Sequence, residues 1–331
     1  MTTTAALNDS EICVVVQGAV APETSDILSG LRKILPNSEI ILSTWEGQDT
    51  FGLDFNKIIY SKDPGAFVQN RKIEGAGHYN NVNRQIVSTH MGLRASEKKY
   101  TLKTRTDIFI DSTAWLDWFG KYDVPHTKPT FFNHRVLICN YYCRNPRIFT
   151  LPLHWSDWVF FGETTDLVDI FGIPLMDGDD TVWFDIKPRT SFLFSDNINR
   201  YVPEQWILSS FLKKHVKFEF NCFYDITKEN LILTERFIAE NTVILDLEQW
   251  GIRFVKYRPN RYKDKATLIH HNDWHNLYRY YALNKRGVFW FRYLFKSFLW
   301  KIVHYYIRPR LMRFLTRVGV GKFVRNILNR R

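Results

Sequence analysis

Ile12-Cys13-Val14-Val15-Val16-Gln17-Gly18 is a short apolar, largely β-branched run closed by an amide and a glycine. A run that is hydrophobic at every position, rather than alternating, reads as a strand covered on both faces, the kind found in mostly parallel sheets with helices on either side. Working outward, Ser25 to Leu35 predicts a helix, because Ile27, Leu28, Leu31, Ile34 and Leu35 fall near a 3.6-residue period and Pro36 stands just past the end. Glu39 to Leu42 gives a second strand and Lys57 to Tyr60 a third, the latter stopped by Lys62-Asp63-Pro64-Gly65. A helix from about Asn81 to Ser96 follows, and Tyr100 to Lys103 runs as a strand into Arg105-Thr106-Asp107. Strand and helix thus alternate through the first third of the chain, the pattern of an α/β domain.

In such open sheets the ligand sits at the carboxyl ends of the strands. Gln17-Gly18, Ser43-Thr44-Trp45-Glu46 and Arg105-Thr106-Asp107 all fall there, which favours a nucleotide-type ligand. The sequence contains neither Gly-x-Gly-x-x-Gly after the first strand nor Gly-Lys-Ser/Thr, so a dinucleotide fingerprint and a P-loop are both excluded. A sugar nucleotide needs no glycine cradle; a metal on its diphosphate, cations or amide donors suffice.

From about 113 to 200 the chain is rich in aromatics and weakly periodic, while Glu204 to Lys214 reads as an amphipathic helix opened by Pro203. Residues 1–273 read as one domain. The formal charge of +11 belongs elsewhere: residues 274–331 hold fourteen Lys and Arg and no Asp or Glu, leaving 31 basic and 34 acidic residues in 1–273, a net of −3. Four scattered cysteines make no disulfide framework, and the polar start lacks a basic segment followed by an apolar one, so a cytoplasmic, reducing location is expected.

Several segments can carry chemistry. Asp107, with Asp111 four residues on, offers oxygen ligands to a divalent cation, or else caps a turn while Arg105 pairs with a nearby acid. Asp157 lies between Trp155 and Trp158, where desolvation raises a carboxyl pKa and suits it to acid/base work; the alternative is a cap beside two core indoles. Glu204 stands in the first turn of a helix, an ordinary place for an acid stabilised by the macrodipole. In His270-His271-Asn272-Asp273-Trp274-His275 only His271 and His275 have helical i, i+4 spacing, which is short of a zinc site; one histidine, His271, reaching a diphosphate or its metal is the functional reading and a polar loop the plain one.

Gly287 to Ile307 is apolar and aromatic but interrupted by Arg292, Lys296 and Lys301, which argues against a spanning helix and for one lying in the plane of a membrane surface. Phe291, Leu294, Phe295, Phe298 and Ile302 are expected to face lipid and the cations the headgroups, with Trp290 and Trp300 also at the membrane; Pro309 is expected to break or kink the helix before Leu311 to Leu328 repeats the pattern. The run is too greasy for a nucleic-acid stacking platform. Residues 274–331 therefore read as a basic, aromatic, membrane-associating helical tail.

Taken together, Val14-Val15-Val16-Gln17-Gly18, Ile41 to Gly47, Lys62 to Gly65, Asn80 to Ile86, Lys103 to Asp107, Ser156 to Gly162 and Tyr201 to Gln205 resemble the WavE lipopolysaccharide synthesis family over roughly residues 10–250. The resemblance implies a GT-A-like, Rossmann-type glycosyltransferase that takes a nucleotide-sugar donor and a lipid-linked or lipopolysaccharide glycan acceptor at the inner face of the cytoplasmic membrane, with an anionic membrane surface and no nucleic acid as partner. Gln17, Gly18, Thr44, Trp45, Asn83, Arg84, Arg105 and Asp107 are then expected around the nucleotide. Arg105-Thr106-Asp107 stands where such enzymes carry Asp-x-Asp for Mn²⁺ or Mg²⁺; with arginine in the first place, either Asp107 (with His271) holds the ion or Arg105 supplies the positive charge itself. By the same likeness Glu204 is the expected catalytic base and Asp157 the second candidate. The alternative is a membrane-associated assembly factor without turnover.

Overall fold

The run at Ile12–Gln17 forms a strand, β1, buried at every residue. A computed structural model describes residues 7–71, 78–124, 127, 129–189, 196–255, 267–285 and 287–317. After β1 come α1 (Thr24–Ile34), β2 (Glu39–Trp45), β3 (Lys57–Ser61), β4 (Phe67–Val68), β5 (Tyr79–Asn80), α2 (Val82–Arg94), β6 (Tyr100–Arg105) and β7 (Ile108–Ile110). The second half adds β8 (Val136–Cys139), β9 (Phe160–Glu163), α3 (Thr164–Phe171), α4 (Trp183–Ile186), α5 (Pro203–His215), α6 (Lys228–Asn241), β10 (Thr242–Leu245), α7 (Leu247–Trp250) and β11 (Ile252–Phe254). The described residues end in α8 (His271–Tyr281), α9 (Val288–Ile302), a π turn (Val303–Ile307) and α10 (Arg308–Arg317).

Seven strands form one sheet in the order β10-β8-β9-β6-β1-β2-β3. All neighbours pair parallel except β9, which runs antiparallel to both β6 and β8. The fold is thus the mostly parallel α/β sheet that the sequence predicts. The aromatic middle of the chain, where periodicity was weak, supplies β8 and β9; both are short and nearly all buried, so neither displays the alternation that identifies a half-exposed strand.

β1 is central, with β2 on one side and β6 on the other. The strand order therefore reverses at β1, and the crevice of a doubly wound sheet opens at such a point. α2 crosses the sheet face very closely: a Cβ on Gly92 would stand 2.5 Å from Val15 Cγ1, so only glycine fits there.

Two expectations are corrected by packing. α5 is not amphipathic, because residues 204–212 are all buried and only its carboxyl end, at Lys213, Lys214 and His215, is basic. The division at 273/274 falls inside α8, whose Trp274, Leu277 and Tyr278 belong to the same hydrophobic core as β1, as does Tyr293 of α9.

α9 is accordingly fixed to the body. Tyr293 Oη donates to Glu235 Oε1 at 3.0 Å, and Asn145 Nδ2 donates to Ser297 Oγ at 3.2 Å. Arg147 grips the fully buried Glu235 with Nε and Nη2 at 2.5 and 2.7 Å. Two residues expected at the membrane are turned inward: Trp290 stacks on Tyr280 with centroids 3.8 Å apart, and Lys296 Nζ lies 2.7 Å from both oxygens of the buried Asp273. Leu294 packs against the core, and Trp300 and Ile302 are half-buried. Of the break or kink expected at Pro309, the break does not occur: a wider π turn precedes it and helix continues through Arg317. Residues 318–331, with Lys322 and Arg325, lie outside the described residues.

Candidate functional site

At the β1 switch point the carboxyl ends of β1, β2 and β6 enclose a cleft of about 490 Å³. Six residues expected around a nucleotide line it: Gln17, Gly18, Trp45, Arg84, Arg105 and Asp107. The turn after β1 is built around Gly18, whose φ of +122° favours glycine and whose added Cβ would meet Thr106 Oγ1 at 3.1 Å. Thr106 closes that turn, donating from its backbone N to Gln17 O at 3.1 Å and from Oγ1 to Ala19 O at 2.7 Å. The Gln17 side chain is held by Ser88 Oγ, which donates to Oε1 at 2.6 Å.

Two arginine–carboxylate forks face the cleft. Arg105 Nε and Nη2 donate to Asp107 Oδ1 and Oδ2 at 2.8 and 2.9 Å, and the guanidinium lies 4.3 Å over the Trp158 ring. Arg84 Nε and Nη2 donate to Asp63 at 2.8 and 2.7 Å, which holds the Asp63 carboxyl below its ordinary value. Both carboxylates thus already have both oxygens engaged by a guanidinium, and no group of three or more His, Cys, Asp and Glu side chains suited to a metal occurs among the described residues. This donor set does not fit a resident divalent ion at Asp107.

His271 does not belong to this site. It lies at the end of β10, three strands from β6 and so about 14 Å away at the ordinary strand spacing. Its Nδ1 is 2.7 Å from Ile244 O and its ring packs against Trp118 and Trp274. Thr44 is wholly buried and does not line the cleft. Asn83 faces elsewhere: its side chain brackets Met176, donating to the carbonyl at 2.9 Å and accepting from the amide at 2.8 Å.

Behind the cleft lies a buried ionisable cluster. Gln85, which lines the cleft, donates from Nε2 to Asp157 O at 2.7 Å, and Lys103 Nζ donates to the same oxygen at 2.5 Å and to Trp158 O at 3.1 Å. Asp157 is 4 % exposed and its Oδ1 has no hydrogen-bond partner; Glu204 is 8 % exposed. Burial and then the Asp157 charge push Glu204 up to about 8, and burial raises Asp157 against the opposing pull of Lys103 and Arg105. Burial likewise lowers Lys103 to about 7. His154 Nε2 stands 3.7 Å from Glu204 Oε2, but burial pushes the imidazole down to about 3, so the contact is between a neutral ring and the acid rather than an ion pair. Two interacting carboxyls of this kind titrate as a pair, with a proton retained at neutral pH.

Arg105 and Asp107 line the cleft, and Asp157 and Glu204 lie in the buried cluster behind it. The sequence reading passed over Asp63, Asn81 and Gln85 of the cleft and the buried Lys103. Their signal was present as position: Asp63 stands two residues past β3, and Asn81 to Gln85 open α2, so all lie at the same sheet edge.

The model of one protein family, WavE lipopolysaccharide synthesis, matches residues 12–307. The match runs well past residue 250, through α8 and α9, in keeping with the packing of those helices on the core. No curated protein matches the chain.

Proposed function

The chain belongs to the WavE lipopolysaccharide synthesis family and so takes part in lipopolysaccharide biosynthesis; from that premise we propose that it is a glycosyltransferase moving a sugar from a nucleoside diphosphate to a lipid-borne glycan acceptor. The observation that carries this reading is the hydrogen bond from Gln85, in the lining of the polar cleft at the sheet's switch point, to the backbone carbonyl of Asp157, whose carboxyl lies with Glu204 in the buried cluster behind. The cleft has the place for a diphosphate and offers it the Arg84 and Arg105 guanidiniums, charge-balanced by Asp63 and Asp107 in the same lining, with Trp45 also in the wall.

In this mechanism the acceptor hydroxyl proton passes to the Glu204–Asp157 pair, which lies behind the cleft rather than in its lining, as that oxygen bonds to the anomeric carbon. The bond from that carbon to the diphosphate oxygen breaks, and the nucleoside diphosphate leaves with the electron pair. Arg105 and Arg84 meet its charge, the role that a metal ion fills in enzymes with two acidic residues at the Arg105-Thr106-Asp107 position.

The test is thermal unfolding of the full chain with a panel of nucleoside diphosphate sugars. At a concentration 100 times Kd a ligand adds about 2.7 kcal/mol, so a true donor raises Tm by several degrees. A panel with no effect on Tm and no turnover overturns the proposal.

A further inference from the structure

α9 presents two faces that differ in kind. Tyr293 and Ser297 are buried in the core, whereas Val288, Phe291, Phe295 and Phe298 are 78, 70, 64 and 60 % exposed on the opposite side. Their spacing of three, four and three residues is that of one helical stripe. After the π turn the pattern resumes: Ile307, Leu311 and Phe314 are 51, 51 and 60 % exposed, again at intervals of four and three.

Exposed apolar stripes of this length mark a docking surface, and the charges beside this one identify the occupant. Arg292 and Lys301 of α9 and Arg310, Arg313 and Arg317 of α10 are exposed, and no acid follows Asp273 in the sequence. Asp273 itself is buried and neutralises Lys296, so it adds no negative charge to the surface. An apolar stripe flanked only by cations matches the boundary between acyl chains and anionic headgroups. No described helix is long and apolar enough to cross a bilayer, so the stripe lies on the surface.

We infer that α9 and α10 form a rigid foot that seats the protein in plane on an anionic lipid bilayer, through Phe291, Phe295, Phe298, Ile307, Leu311 and Phe314. The foot differs from a flexible tether because α9 is bolted to α6 and α8 through Glu235 and Asp273. Its attachment therefore fixes how the sheet, and the cleft at its edge, is held above the membrane.

The experiment is co-sedimentation of the full chain, without any sugar donor, with vesicles of phosphatidylglycerol and phosphatidylethanolamine and with vesicles of phosphatidylcholine alone. Wild-type protein is expected to partition onto the anionic vesicles, and Phe291→Ser/Phe295→Ser/Phe298→Ser to lose at least tenfold in partitioning with Tm unchanged. Lys301→Glu/Arg313→Glu is expected to lose binding to anionic vesicles, and wild-type binding to weaken at high salt. Wild-type protein that stays in the supernatant, or a triple-serine variant that binds as the wild type does, overturns the inference. So does a wild-type dimer that the triple-serine variant converts to monomer without lipid, because the stripe then seats a second copy, or retention on an oligonucleotide but not on vesicles. Each outcome is read without turnover and is independent of the proposed chemistry.

Discussion

Gln85 donates from Nε2 to the carbonyl oxygen of Asp157 at 2.7 Å, and that single bond joins the wall of the cleft to the buried acids behind it. α2 supplies the first residue and the segment before β9 the second, 72 positions apart. Lys103 of β6 donates to the same oxygen, so three segments meet there.

The pair should govern the pH dependence of turnover. The base works only when deprotonated, so kcat/KM is expected to rise with pH, pass half-height near pH 8, the value to which burial and Asp157 raise Glu204, and level off above it. Glu204→Gln should lower kcat by about 10²- to 10⁴-fold while leaving donor binding intact. Full activity in both Glu204→Gln and Asp157→Asn would place the base elsewhere.

Stability should respond in the opposite direction. Because the folded pKa of Glu204 lies above the ordinary 4.5, the native state binds more protons than the unfolded chain between those values. Wild-type stability therefore declines as pH rises from about 4.5 to about 8, and the loss is complete above that. Glu204→Gln, which carries no charge to bury, should gain in Tm over wild type at pH 8.5 and show no gain at pH 4.5; a constant difference would show that the carboxyl does not titrate in this window.

Donor binding should depend on the Arg105 fork more than on a metal. Replacing a charge-assisted pair of donors by a point charge in Arg105→Lys should weaken the donor about tenfold, at roughly 1.4 kcal/mol. Chelation with EDTA should leave the donor-induced Tm shift unchanged, since the guanidinium already occupies Asp107. Calorimetry checks both, and abolition of binding by EDTA would restore the ion.

The tight crossing of α2 over β1 should be costly to disturb. A methyl at Gly92 meets Val15 Cγ1 at 2.5 Å, so Gly92→Ala should destabilise by about 1–3 kcal/mol, lowering Tm by several degrees. Gly30→Ala, with open space around its Cβ, is the control and should be neutral or stabilising in thermal unfolding.

The strands of the first third and the side-chain types at their ends follow from the sequence alone, because periodicity and β-branched runs are local properties, whereas β8 and β9, buried almost throughout, carry no such pattern. Ile12 to Val16, Tyr100 to Lys103 and the polar residues at their ends were legible for that reason. The seven-strand order, the reversed β9 and the burial of α5 all around depend on contacts between segments far apart in the chain, which no local pattern records. The same distinction separates Trp290 and Lys296 from Phe295 and Phe298: composition describes one basic, aromatic run, and only the packing of α9 on Glu235 and Asp273 decides which side faces the core. Likewise, Arg105 in place of an acid was visible in the sequence, whereas its fork onto Asp107 needed the turn after β6 to bring the two side chains together.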